Sequence, residues 1–164
     1  MDINKEIAYK ASDADRMIYR VLPAEKGYQK TVFQAMNYSV LAGGKRIRPI
    51  LMLETYKLFG GSNKAIESFV AAIELIHTYS LVHDDLPAMD DDELRRGKLT
   101  THAKFGEAMG VLAGDGLLNY AFEIALDTLD ETNGADNRAV IRSLKVLAKK
   151  AGIYGMIGGQ VVDV

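Results

Sequence analysis

The chain has 164 residues, with 20 basic and 22 acidic side chains and a formal net charge of −2. That length gives one domain large enough for a sizeable core, and the charge balance leaves no dominant basic face for general nucleic-acid binding. The absence of cysteine excludes disulfides and thiolate metal sites but does not fix the compartment.

Helical periodicity runs through the whole chain. Ile3, Ile7, Met17, Ile18 and Val21 predict an amphipathic helix ending near Pro23. Val32, Met36, Val40 and Leu41 predict a second, stopped by Gly43-Gly44. Ile50, Leu51, Leu53, Leu58 and Phe59 predict a third, ended by Gly60-Gly61. Ser62 is expected to cap a fourth helix, running to about Pro87 through Ala65, Phe69, Ala72, Ile73 and Ile76. Residues 94–100 are expected as a loop, 101–107 as a short helix and 111–129 as a longer one, with 111–126 deeply buried because it carries few charges. An Asn133-Gly134 turn should precede a last helix through Ile141, Leu144, Leu147 and Ile157. No alternating strand pattern or internal repeat is evident, so the fold class is all-α. Gly114, Gly116, Gly155, Gly158 and Gly159 fall within helical patterns, where each costs about 1 kcal/mol relative to Ala; close helix packing or a site wall would explain them. The charged start of the chain lacks a signal-type apolar region, and no apolar run approaches the length of a membrane span. A cytoplasmic protein is the simplest expectation.

Asp84, Asp85, Asp90, Asp91, Asp92 and Glu93 put six carboxylates into ten positions, directly after an apolar stretch over 69–82. Carboxylates about 6 Å apart repel by roughly 3 kcal/mol at an effective dielectric near 20, far more than helix propensity offsets. A partly buried run of this kind calls for a cation, and Mg²⁺ is held by one or two carboxylates plus substrate phosphates; a solvated acidic loop is the plainer reading. On a regular helix Asp84 and Asp90 would point some 120° apart. Pro87 should kink or end the helix, which can bring Asp90 back to the side of Asp84. A calcium loop starting at Asp90 fails, since Arg95 falls where Gly is needed and Thr101 where the bidentate Glu belongs. Upstream, Gly43-Gly44 suits a helix C-cap and Pro49 the first turn of the next helix. Lys45, Arg46 and Arg48 then occupy a bend beside a helix N-terminus, which favours anions, although an isolated cluster of this kind is often ordinary surface charge.

Three segments together carry a family resemblance. His83-Asp84-Asp85-Leu86-Pro87-Ala88-Met89-Asp90-Asp91-Asp92-Glu93-Leu94-Arg95-Arg96-Gly97 resembles the first aspartate-rich motif of the trans-isoprenyl diphosphate synthases, in the variant of the bacterial farnesyl diphosphate synthases. Gly43-Gly44-Lys45-Arg46-Ile47-Arg48-Pro49 is similar to their GGKRxRP segment, and Gly158-Gly159-Gln160-Val161-Val162-Asp163 to their GQxxD stretch. Order and spacing of all three fit, so the resemblance covers nearly the whole chain. The resemblance implies an isoprenoid-synthase-type helical bundle. It implies Mg²⁺ held by Asp84 and Asp90, with Asp85 as a supporting catalytic carboxylate and Asp91, Asp92 and Glu93 solvated or paired with arginines. It implies that Lys45, Arg48 and His77 hold isopentenyl diphosphate, that Arg46 points away, and that Arg95 and Arg96 hold the allylic and homoallylic diphosphates. Tyr79 and Ser80 match the chain-length positions, and Gln160 and Asp163 a possible site wall. The implied substrates are isopentenyl diphosphate and an allylic diphosphate, and a homodimer is expected. The allylic diphosphate ionises, the isopentenyl double bond attacks the cation, and a proton is lost to the released diphosphate, giving farnesyl diphosphate.

Members of this family are considerably longer and carry a second motif, DDxxD, for which nothing after Asp92 provides a match. A downstream Lys-Thr segment is also lacking, so the chain is expected to be the N-terminal part of a single helical prenyltransferase domain and inactive alone. A geranylgeranyl diphosphate synthase, a non-catalytic regulatory subunit and a terpene cyclase are the alternatives. The intact first motif speaks against a regulatory subunit, and the isopentenyl diphosphate segment speaks against a cyclase.

Overall fold

In a computed structural model of the chain, residues 2–132 and 134–163 are described; Asn133, and with it the expected turn, lies outside them. Asp2 starts the first helix, α1 (Ile3–Arg20), by accepting hydrogen bonds at Oδ1 from the amides of Asn4 and Lys5 at 3.1 and 3.4 Å, which satisfies two of the free N–H groups of its first turn. α2 (Lys30–Leu41) gives way to Gly43 at φ 83°, a left-handed turn that glycine enters at no steric cost. α3 (Ile47–Leu58) follows, with Gly60 at φ 75° after it.

α4 (Ala65–Asp84) is the axis of the bundle: half of its 20 residues are buried, and it packs against α1, α3 and most extensively α6. Asn63, not Ser62, caps it, its Oδ1 accepting from the Ala65 amide at 2.9 Å. Contrary to the sequence reading, α4 is long and apolar enough on composition alone to cross a membrane, but more than half of its most apolar window is buried inside the protein. Val70 and Leu75 of α4 and, from its neighbours, Ile18 and Leu117 are fully buried, each stabilising the fold by about 1.5–3 kcal/mol.

The segment expected as a loop instead forms a small antiparallel hairpin, β1 (Leu94–Arg95) and β2 (Lys98–Leu99), with Leu94 opposite Leu99 and Arg95 opposite Lys98. Its turn residues Arg96 and Gly97 have φ 54° and 75°, the pair of positive angles a type I′ turn demands. α5 (Thr101–Phe105) and α6 (Glu107–Leu126) follow, parted by Gly106 at φ 89°. Deep burial of 111–126 is half right. Ala113, Gly114, Leu117, Ala121, Ile124 and Ala125 are buried, whereas Val111, Leu112 and Leu126 are exposed on the opposite side.

After the short α7 (Thr128–Glu131), the expected last helix is two: α8 (Gly134–Ala151) and α9 (Met156–Asp163). A Cβ at Gly155 would lie 2.0 Å from the Lys150 carbonyl oxygen, and one at Gly158 would lie 2.1 Å from that of Ile153. The backbone folds too tightly there for any side chain, so these glycines serve a sharp corner rather than helix packing. Gly114 and Gly116 are the packing glycines: a Cβ would strike the His83 ring at 2.1 Å and the Met36 sulfur at 2.9 Å.

Candidate active site

The cationic side is built by the α2–α3 connection. Once Gly43 has turned the chain, Arg46 also adopts a left-handed conformation, at φ 50°, and α3 begins with no side chain capping its first turn. Lys45 and Arg48 stay exposed on either side of Arg46, which is itself buried. Arg46 points away from solvent as expected. Its Nε donates to Asp15 Oδ1 at 2.8 Å, Nη1 to Glu74 Oε1 at 2.7 Å and Nη2 to the Val40 carbonyl at 3.0 Å. An open pocket of about 440 Å³ lies over this bend, with Lys45, Arg48, His77 and Arg96 around it. Arg48 Nη1 stands 3.5 Å from His77 Nε2, and Arg96 Nη1 donates to the Gly43 carbonyl. Among the described residues, Lys45, Arg48 and Arg96 form no ion pair. Burial, followed by the positive charge of Arg48, holds the pKa of His77 below the ordinary histidine value, so its imidazole is neutral at pH 7. Three uncompensated cations and a neutral imidazole beside a helix N-terminus make an anion-binding pocket.

The acidic end lies at the C-terminus of α4. The chain reverses around Pro87: the Asp90 amide donates to the Asp84 carbonyl at 2.9 Å and the Asp91 amide to the Leu86 carbonyl at 3.1 Å. The predicted distortion therefore does return Asp90 to Asp84, six residues on. Burial, and next the Asp90 carboxylate, push the pKa of Asp84 above the usual carboxylate value, with Asp85 and Asp163 adding to the push and Arg95 opposing it. Gln160 Nε2 on α9 donates to Asp84 Oδ1 at 2.7 Å, so the GQxxD segment reaches this end of the bundle. Asp85 is buried, and its Oδ1 accepts from Arg95 Nε and Nη2 at 2.7 and 2.6 Å. That pair commits much of the Arg95 fork to protein, while Asp91, Asp92 and Glu93 are exposed as expected. The donor set suits a small hard cation: two carboxylates supply oxygen ligands, like charges crowd one of them, and a helix C-terminus favours positive charge. No group of three or more ligating side chains gathers among the described residues, so further ligands to such an ion would be water or substrate oxygens.

Tyr79 and Ser80 line neither the anion pocket nor the narrower cleft of about 40 Å³ between α2, α4 and the hairpin. Tyr79 is buried, its ring edge-on to His83 at 5.7 Å, and Ser80 Oγ donates to the His77 carbonyl at 2.8 Å. Sequence reasoning missed Glu74, Tyr38 and Ser39. Glu74 carried a signal, a lone carboxylate in an apolar stretch three residues before His77. Tyr38 and Ser39 carried none: the Tyr38 hydroxyl donates to the Leu99 carbonyl of a hairpin that was itself unforeseen, and Ser39 Oγ meets Thr101 Oγ1 at the start of α5, both at 2.7 Å.

A farnesyl diphosphate synthase of Geobacillus stearothermophilus is 53% identical over 130 residues, 79% of this chain and 43% of that protein. The farnesyl diphosphate synthase of Escherichia coli K12 is 44% identical over 165 residues, 99% of this chain and 54% of that protein. The crystal structure of an FPP/GFPP synthase from Zymomonas mobilis superposes with a TM-score of 0.88 at 40% identity, over 99% of this chain and 58% of that one, so the fold is the isoprenoid-synthase helical bundle. The chain thus spans about half the length of the relatives it matches. The polyprenyl synthetase family profile matches residues 29–164, and the chain belongs to that family.

Proposed function

We propose that these residues belong to a short-chain trans-prenyltransferase that condenses isopentenyl diphosphate with dimethylallyl or geranyl diphosphate, with farnesyl diphosphate as product. The carrying observation is the separation of two opposite sites on one bundle: a pocket ringed by the basic Lys45, Arg48 and Arg96, and a carboxylate pair, Asp84 and Asp90, at the end of α4. A reaction that joins two diphosphates needs both.

In this reading Lys45, Arg48 and Arg96 hold the diphosphate of isopentenyl diphosphate through charge-assisted hydrogen bonds. His77 is neutral and offers an N–H without adding repulsion to Arg48. Asp84 and Asp90 would hold Mg²⁺, with Gln160 fixing one Asp84 oxygen. When bound, that ion supplies Lewis-acid stabilisation of the departing diphosphate. Asp85 orients Arg95 towards the same end, where its remaining N–H groups face the allylic diphosphate. In the complete enzyme, Asp84→Asn should remove most condensation of geranyl with isopentenyl diphosphate while the protein stays folded; Asp92→Asn, at an exposed carboxylate, should not. Near-normal turnover of Asp84→Asn would contradict the assignment.

A further inference from the structure

Arg46 lies inside the segment that forms the anion pocket, yet its guanidinium faces the other way. Its left-handed backbone, at φ 50°, is strained for a non-glycine residue and persists only where surroundings over-determine it. Here they do. Three of its nitrogens are tied to three different helices: Asp15 on α1, Glu74 on α4 and the Val40 carbonyl on α2. Side chains of Arg46 and Glu74 are 2% and 5% exposed, so neither charge can relax into water if the other is lost. The flanking Lys45 and Arg48 have no comparable anchors, and Glu74 sits one helical turn before His77, so all three pocket groups hang from this buried pair.

Resting on the reading of the pocket as a diphosphate site, we propose that Arg46 and Glu74 are its positioning residues: the buried pair holds the strained bend that aims Lys45, Arg48 and His77 at one anion. Neither residue touches the ligand. Both act on affinity through the placement of groups that do.

The test is calorimetric titration of the chain with inorganic pyrophosphate in EDTA, which silences the carboxylate end. Arg46→Lys keeps the charge but cannot reach three partners at once; Glu74→Gln keeps the shape but not the charge. Each should weaken binding about tenfold, as loosening a charge-assisted contact does. The double variant should be little weaker than either single one, because both remove the same pair. Urea denaturation run in parallel separates this from simple destabilisation: lower stability with unchanged pyrophosphate affinity overturns the proposal. Asp15→Asn, at the partly exposed partner, gives a milder variant should the buried ones not fold, and it should weaken binding in the same direction; unchanged affinity there also overturns it. Lys45→Ala is the control on the pocket itself. If it leaves affinity intact, the diphosphate reading fails; if it weakens binding while the Arg46, Glu74 and Asp15 variants do not, only the positioning proposal fails.

Discussion

Asp84 is where stability and function pull apart. Burial and the Asp90 carboxylate raise its pKa above 3.8, so the folded chain binds the Asp84 proton more tightly than the unfolded chain. The resulting penalty is absent well below pH 4 and complete once pH has passed the raised folded value. Asp84→Asn should therefore raise the thermal midpoint of metal-free protein at pH 7, since Asn can still accept from Gln160, and the gain should vanish in acid. A midpoint at pH 7 equal to or below the wild type would contradict this account. The charge pattern made the acidic and basic clusters legible in the sequence, and Pro87 made the return of Asp90 to Asp84 legible. The resemblance turned Arg46 away from the pocket, but its pairing with Glu74 was not legible, because nothing in spacing ties a carboxylate 28 residues on to that guanidinium.

At the scale of elements, glycine and proline placed most helix boundaries, because each forces a backbone state that continued helix cannot adopt. The hairpin escaped because two-residue strands are too short for alternation, and because Arg96-Gly97 lacks the Asn-Gly or Asp-Gly signature of its turn. The α8–α9 corner escaped because apolar periodicity continues across it to Ile157. The hairpin carries Arg95 and Arg96 and is held from α2: the Tyr38 hydroxyl donates to the Leu99 carbonyl at 2.7 Å, with Lys104 Nζ over the Tyr38 ring at 3.8 Å. Tyr38→Phe should cost about 1 kcal/mol of stability and speed hydrogen exchange at the Thr100 amide, which donates to the Glu93 carbonyl across the hairpin. Unchanged protection at Thr100 would show that the hairpin stands without this tether. On α4, Tyr79 is buried beside His83. If it bounds the hydrocarbon tail, Tyr79→Ala in the complete enzyme should lengthen the product, as chromatography of dephosphorylated products would reveal. An unchanged product distribution would remove Tyr79 from that role.

Across the whole molecule, one helix joins the basic bend to the acidic end. α4 carries Glu74 and His77 against the basic bend and ends in Asp84, and because it is buried against α1, α3 and α6 it fixes the cationic pocket relative to the carboxylate pair. In this reading the basic bend is a diphosphate site in its own right, separate from the acidic end. Isothermal titration of isopentenyl diphosphate into this chain in EDTA, beside Lys45→Ala and Arg48→Ala, tests it most directly. The account predicts one site per chain without metal, weakened in both variants and left in place by Asp84→Asn. Absence of binding, or equal binding by the Lys45 and Arg48 variants, would contradict it.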